Sequence, residues 1–242
     1  MGLFPVLLIL VAAGAAAFYF LYWKKRPSPA PAPVSGPFAF SLNAGDWAIT
    51  YSPGMPASPA AAPGGGWFLD VPIGPEGDAA FTAPLIPAVH YVTVGQNVNL
   101  GGRARLSADL KLETSGSPVF QYKLAPNNTC DHAAAAVLYF QRRGDDMSGA
   151  GAFEFYRWFS DPVEFTLANG STTLSAPLDP ASWISIMGKR GNADATAQAG
   201  FAAALADVAN AGFTFGGGCF KGHGVNISQG SARFTVASFR AE

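Results

Sequence analysis

Ala104-Arg105-Leu106-Ser107-Ala108-Asp109-Leu110-Lys111-Leu112 sets apolar and polar side chains in alternation. A period of two puts Leu106, Ala108, Leu110 and Leu112 on one face of an extended strand, with Ser107, Asp109 and Lys111 on the other. One face is built for burial, the other for water. The same reading extends outward along the chain. Toward the N-terminus it predicts strands at Phe38–Leu42, Trp47–Tyr51, Trp67–Val71 and His90–Val94. Toward the C-terminus it predicts Val119–Leu124, Ala135–Arg142, Phe153–Phe159, Val163–Leu167, Thr172–Ser175, Trp183–Met187, Phe213–Phe215 and Ala232–Phe239. Asn169-Gly170, Pro53-Gly54, Gly101-Gly102 and Gly149-Ala150-Gly151 supply turn chemistry between them. Strands this short bury their apolar faces only by stacking. The expected fold class is therefore all-β: a two-sheet β-sandwich, a jelly roll, with one short helix. That helix is expected around Ala195–Asn210, where Phe201, Leu205 and Val208 form a stripe and Gly212 follows as a stop.

Before the sandwich stands a different kind of sequence. Leu3 to Trp23 runs 21 residues without a formal charge, enough as a helix to cross the ~30 Å hydrocarbon core of a bilayer. Phe18, Tyr22 and Trp23 gather where an interfacial aromatic belt would lie, and Lys24, Lys25 and Arg26 follow at once. No basic side chain precedes the run, so it reads as a retained anchor rather than a cleaved signal. The expected organisation is a single transmembrane helix at 1–23, a Pro/Ala-rich stalk at 24–37 and the β domain at 38–242. Alternating prolines between Arg26 and Pro37 hold the stalk in extended polyproline II. The three cations on the C-terminal flank place the domain on the cytoplasmic side of an inner membrane by the positive-inside rule. The low charge of the domain favours the periplasmic alternative. A second low-complexity stretch, Ser52 to Gly66, is expected as a long surface loop.

Only 13% of the residues are charged, and 15 Lys and Arg face 16 Asp and Glu. Three of those cations lie at Lys24–Arg26, so the domain itself is mildly acidic and carries no basic block. Nucleic acid is excluded as a partner on that ground, because phosphate neutralisation needs a basic footprint. The bilayer, other membrane proteins and glycan remain.

Near the C-terminus, Trp183-Ile-Ser-Ile-Met187, the Phe201/Leu205/Val208 stripe, Gly212-Phe-Thr-Phe-Gly-Gly-Gly218 and a last alternating strand follow one another. This succession resembles the C-terminal half of galactose-binding-like jelly rolls, over about the last 60 residues. Carbohydrate-binding modules and intracellular assembly factors share that fold, so the resemblance implies a fold more than a function.

The chain lacks a GxSxG elbow, an HExxH pair and a CxxC. Glu154 and Glu164 are the carboxylates a glycosidase would use if a cleft brought them together. Gln141 to Ser148 is the most charged stretch of the domain, and it offers Arg142, Arg143 and Asp145 beside Tyr156, Arg157 and Trp158. Guanidinium forks and aromatic faces suit recognition of hydroxyls, carboxylates or partner side chains. His223 sits in a glycine-rich loop able to approach a ligand closely. Cys130 and Cys219 form a disulfide in an oxidising compartment and stay free thiols in a reducing one. With His132 and His223 they make a third alternative, a tetrahedral zinc set of uncommon spacing. No cofactor is expected. The leading expectation is a non-catalytic, membrane-anchored interaction domain, an accessory or scaffold subunit. The alternatives are a tethered glycan-binding module and a jelly-roll glycoside hydrolase.

Overall fold

The computed structural model describes residues 36–52, 56–74, 87–122, 133–217 and 220–242. In chain order the described strands are β1 (Phe38–Ala39), β2 (Trp47–Ser52), β3 (Pro56–Ala57), β4 (Ala60–Ala61), β5 (Trp67–Asp70), β6 (Ala88–Val98), β7 (Arg105–Ser115) and β8 (Phe120–Tyr122). They continue with β9 (Ala134–Arg142), β10 (Arg157–Ser160), β11 (Phe165–Thr166), β12 (Gly170–Pro177), β13 (Trp183–Ser185), β14 (Val208–Gly217), β15 (Val225–Ile227) and β16 (Ser231–Ala241). One α-helix, α1 (Ala195–Ala206), lies between β13 and β14.

The strands form two sheets. The first runs β12-β7-β16-β5-β4, with β1 also on β16; the second runs β13-β10-β9-β14-β6-β15-β8, with β2 on β6 and β11 on β9. Eight of these strands, β5, β6, β7, β9, β10, β12, β14 and β16, carry the topology. Numbered along the chain, they lie in the orders 1-8-3-6 and 2-7-4-5. The chain thus wraps between sheets in the doubly folded path of a jelly roll.

Alternation explains what fills the space between the sheets. Leu106, Ala108, Leu110 and Leu112 of β7 are buried there, opposite Ala136, Leu138 and Phe140 of β9. At the centre the Phe213 ring lies 5.3 Å from Phe239, 5.6 Å from Phe234 and 6.1 Å from both Trp47 and Trp67. Trp47, Trp67, Trp158 and Trp183 are all fully buried.

The expected sandwich preceded by a transmembrane helix is corrected. No helix of the described residues is long and apolar enough to cross a membrane. The 12 residues of α1 would span about 18 Å, and their Phe201 packs edge-on against Trp158 and Phe140 of the second sheet. The run from Leu3 to Trp23 lies outside the described residues, as do Lys24, Lys25 and Arg26.

Three local expectations also change. The helix stops at Ala206 rather than Asn210, because Val208 is already paired to Val98 of β6 and Arg142 of β9. Gly212 is no helix stop. It lies within β14, where a Cβ would strike the carbonyl oxygen of Val92. The strand expected at Phe153–Phe159 begins only at Arg157, since Gly151–Phe155 is a 3-10 turn entered through Gly149 and Gly151 at φ 68° and 57°. The loop expected at Ser52–Gly66 contains the two-residue strands β3 and β4.

Candidate functional site

The sandwich has two ends. At one, β1 enters against the last residues of β16, with Phe38 paired to Ala241. At the other, Ser231 of β16 pairs with Ser115 of β7. These are called here the entry end and the free end.

The charged stretch singled out in the sequence lies toward the entry end, over the outer face of the second sheet. β9 turns Val137 and Tyr139 outward, yet both are buried, in a cluster with Phe159, Tyr91, Ile184 and Ile186. Part of the cover is the loop 143–150. Gly149 of this loop lies against Ile186, and an ion pair holds the loop down. Arg157 Nε is 2.8 Å from Asp145 Oδ2, with the two side chains 5% and 1% exposed. The contact is ionic rather than an aligned hydrogen bond. Arg157 Nη2 donates to the Met147 carbonyl at 2.7 Å. The Asp145 carboxylate also accepts from Gln141 Nε2 at 2.8 Å and from the Met147 amide at 3.0 Å. Gln141 in turn accepts from Asn210 at 2.8 Å. Burial pushes the Tyr139 hydroxyl well above its usual range and raises Tyr91, while Arg157 pulls both down. Asp145 and Arg157 therefore act as a latch on their own fold.

The other residues of the expected recognition set stay only partly together. Arg142 stacks its guanidinium 4.8 Å over the Tyr156 ring. Arg143 makes an exposed ion pair with Asp207 at 3.1 Å. Trp158 is wholly inside, its indole nitrogen donating to the Phe155 carbonyl at 2.9 Å. His223 is exposed and edge-on to Phe220, beyond the Gly217 end of β14, whereas Arg142 pairs with Val208 at the opposite end of that strand. The structure brings Arg142, Tyr156, Asp145 and Arg157 into one neighbourhood and leaves Trp158 and His223 elsewhere.

Cys130, His132 and Cys219 fall outside the described residues, so the disulfide, thiol and zinc alternatives do too. Among the described residues no three His, Cys, Asp or Glu side chains gather to hold a metal. Glu164 lines a cavity of about 10 Å³ with Val137, Thr214 and Lys221, room for one water at most. Glu154 does not border it; its carboxylate lies 3.5 Å from the Ser185 hydroxyl.

Beside this cavity, Lys221 Nζ donates to Asp161 Oδ1 at 2.6 Å, and Arg190 binds the other carboxylate oxygen. Burial alone would raise the Asp161 pKa, but the bonds from Lys221 and Arg190 outweigh it and hold the carboxyl below its usual range. A depressed folded-state pKa gives stability that is present above the unfolded value and lost as pH falls through the folded one. Asp161→Asn is expected to cost about 1–3 kcal/mol at neutral pH and to flatten the loss of stability below about pH 4. Urea titrations at pH 7, 4 and 3 check this; equal pH slopes for both proteins would refute it.

Sequence reading missed the free end. There the outer face of the first sheet carries an open hollow of about 390 Å³, lined by Asp70, Glu113, Thr114, Ser115, Ser231 and Arg233. Strand register makes it, since Arg233 of β16 faces Asp70 of β5 on one side and Glu113 of β7 on the other. Arg233 grips Asp70 through two bonds, 2.7 and 3.0 Å, with its guanidinium 3.9 Å over the Phe68 ring. At the same end two large apolar side chains face water: Ile73 is 65% exposed and Val119 42%. Both flank β15, Ile73 bridging Ile227 and the Val119 carbonyl accepting from Ser228.

No family model, curated protein or solved structure matches this chain. The site must be read from its own chemistry. The hollow is shallow and of mixed charge, and its strongest cation is already paired. Such a surface suits a polar rim around a small apolar contact.

Proposed function

We propose that this protein is a non-catalytic interaction domain that works at a membrane, as an accessory or scaffold subunit docking a protein partner. The observation that carries the reading is the free end. That end carries both the exposed Ile73 and Val119, which flank β15, and the Asp70/Arg233/Glu113 hollow, away from where the chain enters. Apolar contact with a charged, hydroxyl-bearing rim is the usual composition of a transient protein interface. Non-catalytic action is supported by the separation of Glu154 from the cavity that Glu164 lines. The glycan-binding alternative needs open aromatic platforms. Burial of Trp47, Trp67, Trp158 and Trp183 counts against it. The uncharged run from Leu3 to Trp23 supports membrane retention, and Lys24, Lys25 and Arg26 support a cytoplasmic domain.

The test uses the full chain, carrying a photo-crosslinking side chain at position 73 or, as control, at Arg105 of the entry end. From washed membranes, position 73 is expected to give one discrete protein adduct and position 105 none. Ile73→Asp with Arg233→Glu should weaken capture of that partner at least tenfold. Equal labelling from both positions, or extraction of the chain by high salt, would refute the proposal.

A further inference from the structure

Sheet edges expose unpaired main-chain groups, and folded proteins blunt them by keeping edge strands short, charged or covered. Here the described edges follow that rule with one exception. β4 has two residues, and β13 and β8 have three each. β12 has eight, Gly170-Ser-Thr-Thr-Leu-Ser-Ala-Pro177, with no charged side chain. It pairs with β7 on one side, and among the described residues no strand covers the other. Gly170, Ser171, Thr172 and Thr173 are exposed.

The ladder with β7 fixes which groups are free. Its register is continuous, from Gly170 opposite Leu112 to Pro177 opposite Arg105, without a bulge. Just beyond it, Leu178 donates its amide to Ala104 at 2.9 Å, so Leu178 faces β7. Amides alternate along an antiparallel strand. Gly170, Thr172, Leu174 and Ala176 therefore face β7, and Ser171, Thr173 and Ser175 present N–H and C=O outward. Pro177 falls on the outward set, the position where a missing N–H costs the ladder nothing.

We infer that β12 is the pairing edge of a two-fold symmetric dimer, in which β12 lies antiparallel to β12 of a second copy about Thr173. An antiparallel pair about a two-fold is complementary to itself. With the axis at Thr173, Thr173 meets Thr173 and Ser171 meets Ser175 of the other copy. The outward groups then satisfy one another in about six main-chain hydrogen bonds. Threonine opposite threonine is a favourable cross-strand pair, and an uncharged strand brings no like charges together. A foreign strand would use the same bonds, but self-pairing needs no property that β12 lacks. Joined this way, the first sheets of two copies become one, with the Phe38 ends at opposite ends. This goes beyond the partner site at the free end and does not depend on it.

The outward register makes the test clean. Thr173→Pro removes a central outward amide and keeps every main-chain bond to β7, losing there the Thr173 hydroxyl's bond to Asp109, while Ser171→Pro removes an outward amide one pair away. The full chain in mild detergent is studied by native mass spectrometry over a concentration series. Two copies of the 25.1 kDa chain are expected to associate reversibly. Each proline variant should raise the dissociation constant at least tenfold, and Ser171→Pro should keep the unfolding midpoint of the monomer. Hydrogen exchange supplies the second readout, with the Ser171, Thr173 and Ser175 amides slowing as concentration rises and Thr172 slow throughout. A chain that stays monomeric at every concentration, or a dimer untouched by both prolines, would overturn the inference.

Discussion

Replacing Phe213 by alanine is expected to remove about 3–5 kcal/mol of stability, the largest loss from any single truncation in the core. The ring is fully buried and touches aromatic groups from both sheets: Trp47 and Trp67 in strands near the N-terminal side of the fold, Phe234 and Phe239 in β16. Deleting it forfeits transfer free energy and leaves a void that four rigid rings cannot collapse to fill. For a domain of this size each kcal/mol lowers the melting temperature by roughly 2–4 °C. Phe213→Leu keeps most of the volume and should lose less than half as much. Urea unfolding of the two variants checks this, and a loss under 1 kcal/mol for the alanine variant would show that the centre of the sandwich lies elsewhere.

Asp145→Ala should come close to that effect from a position that looks, in sequence, like an exposed loop. It strips the counter-charge from Arg157, whose side chain is 5% exposed, and a buried charge left unpaired costs about 3–5 kcal/mol. The loop 143–150 also loses the two bonds that Asp145 accepts from Gln141 and the Met147 amide. Removing both charges is a different experiment. Asp145→Leu with Arg157→Met replaces the pair by apolar side chains and should restore most of the lost stability, because neither ion is then buried alone. Stability is read from urea titration, and loosening of the loop from limited proteolysis near Gly144. Additive losses in the double variant would mean that the two residues are not a pair.

Arg157 also shows where sequence reading stops. Its type and neighbours marked it for recognition, and nothing local announced that Asp145 would be folded down onto it. That contact depends on a glycine-bearing loop doubling back over a sheet face whose outward residues, Val137 and Tyr139, are apolar. The apolar outward positions were the available signal, since a solvated face would not carry them. The free-end hollow had no such signal. Asp70, Glu113 and Arg233 lie far apart in the chain, and each is an ordinary polar residue at an outward position of its strand.

What the sequence determined by itself was periodicity and its consequences. Alternation in β7 and β16 fixed which side chains are buried, because successive residues of a strand must point to opposite faces. The start of α1 at Ala195 was also legible, and there the Asp194 side chain accepts the Ala197 amide as a cap. The tertiary structure alone decided the strand order, the end of α1 at Ala206, and which charged residues meet. Those depend on pairings between distant segments, whose energy comes from register and shared burial rather than from any residue's own preference. The same separation applies to β12. Its composition is legible as a strand, but only the order of the sheets makes it an edge.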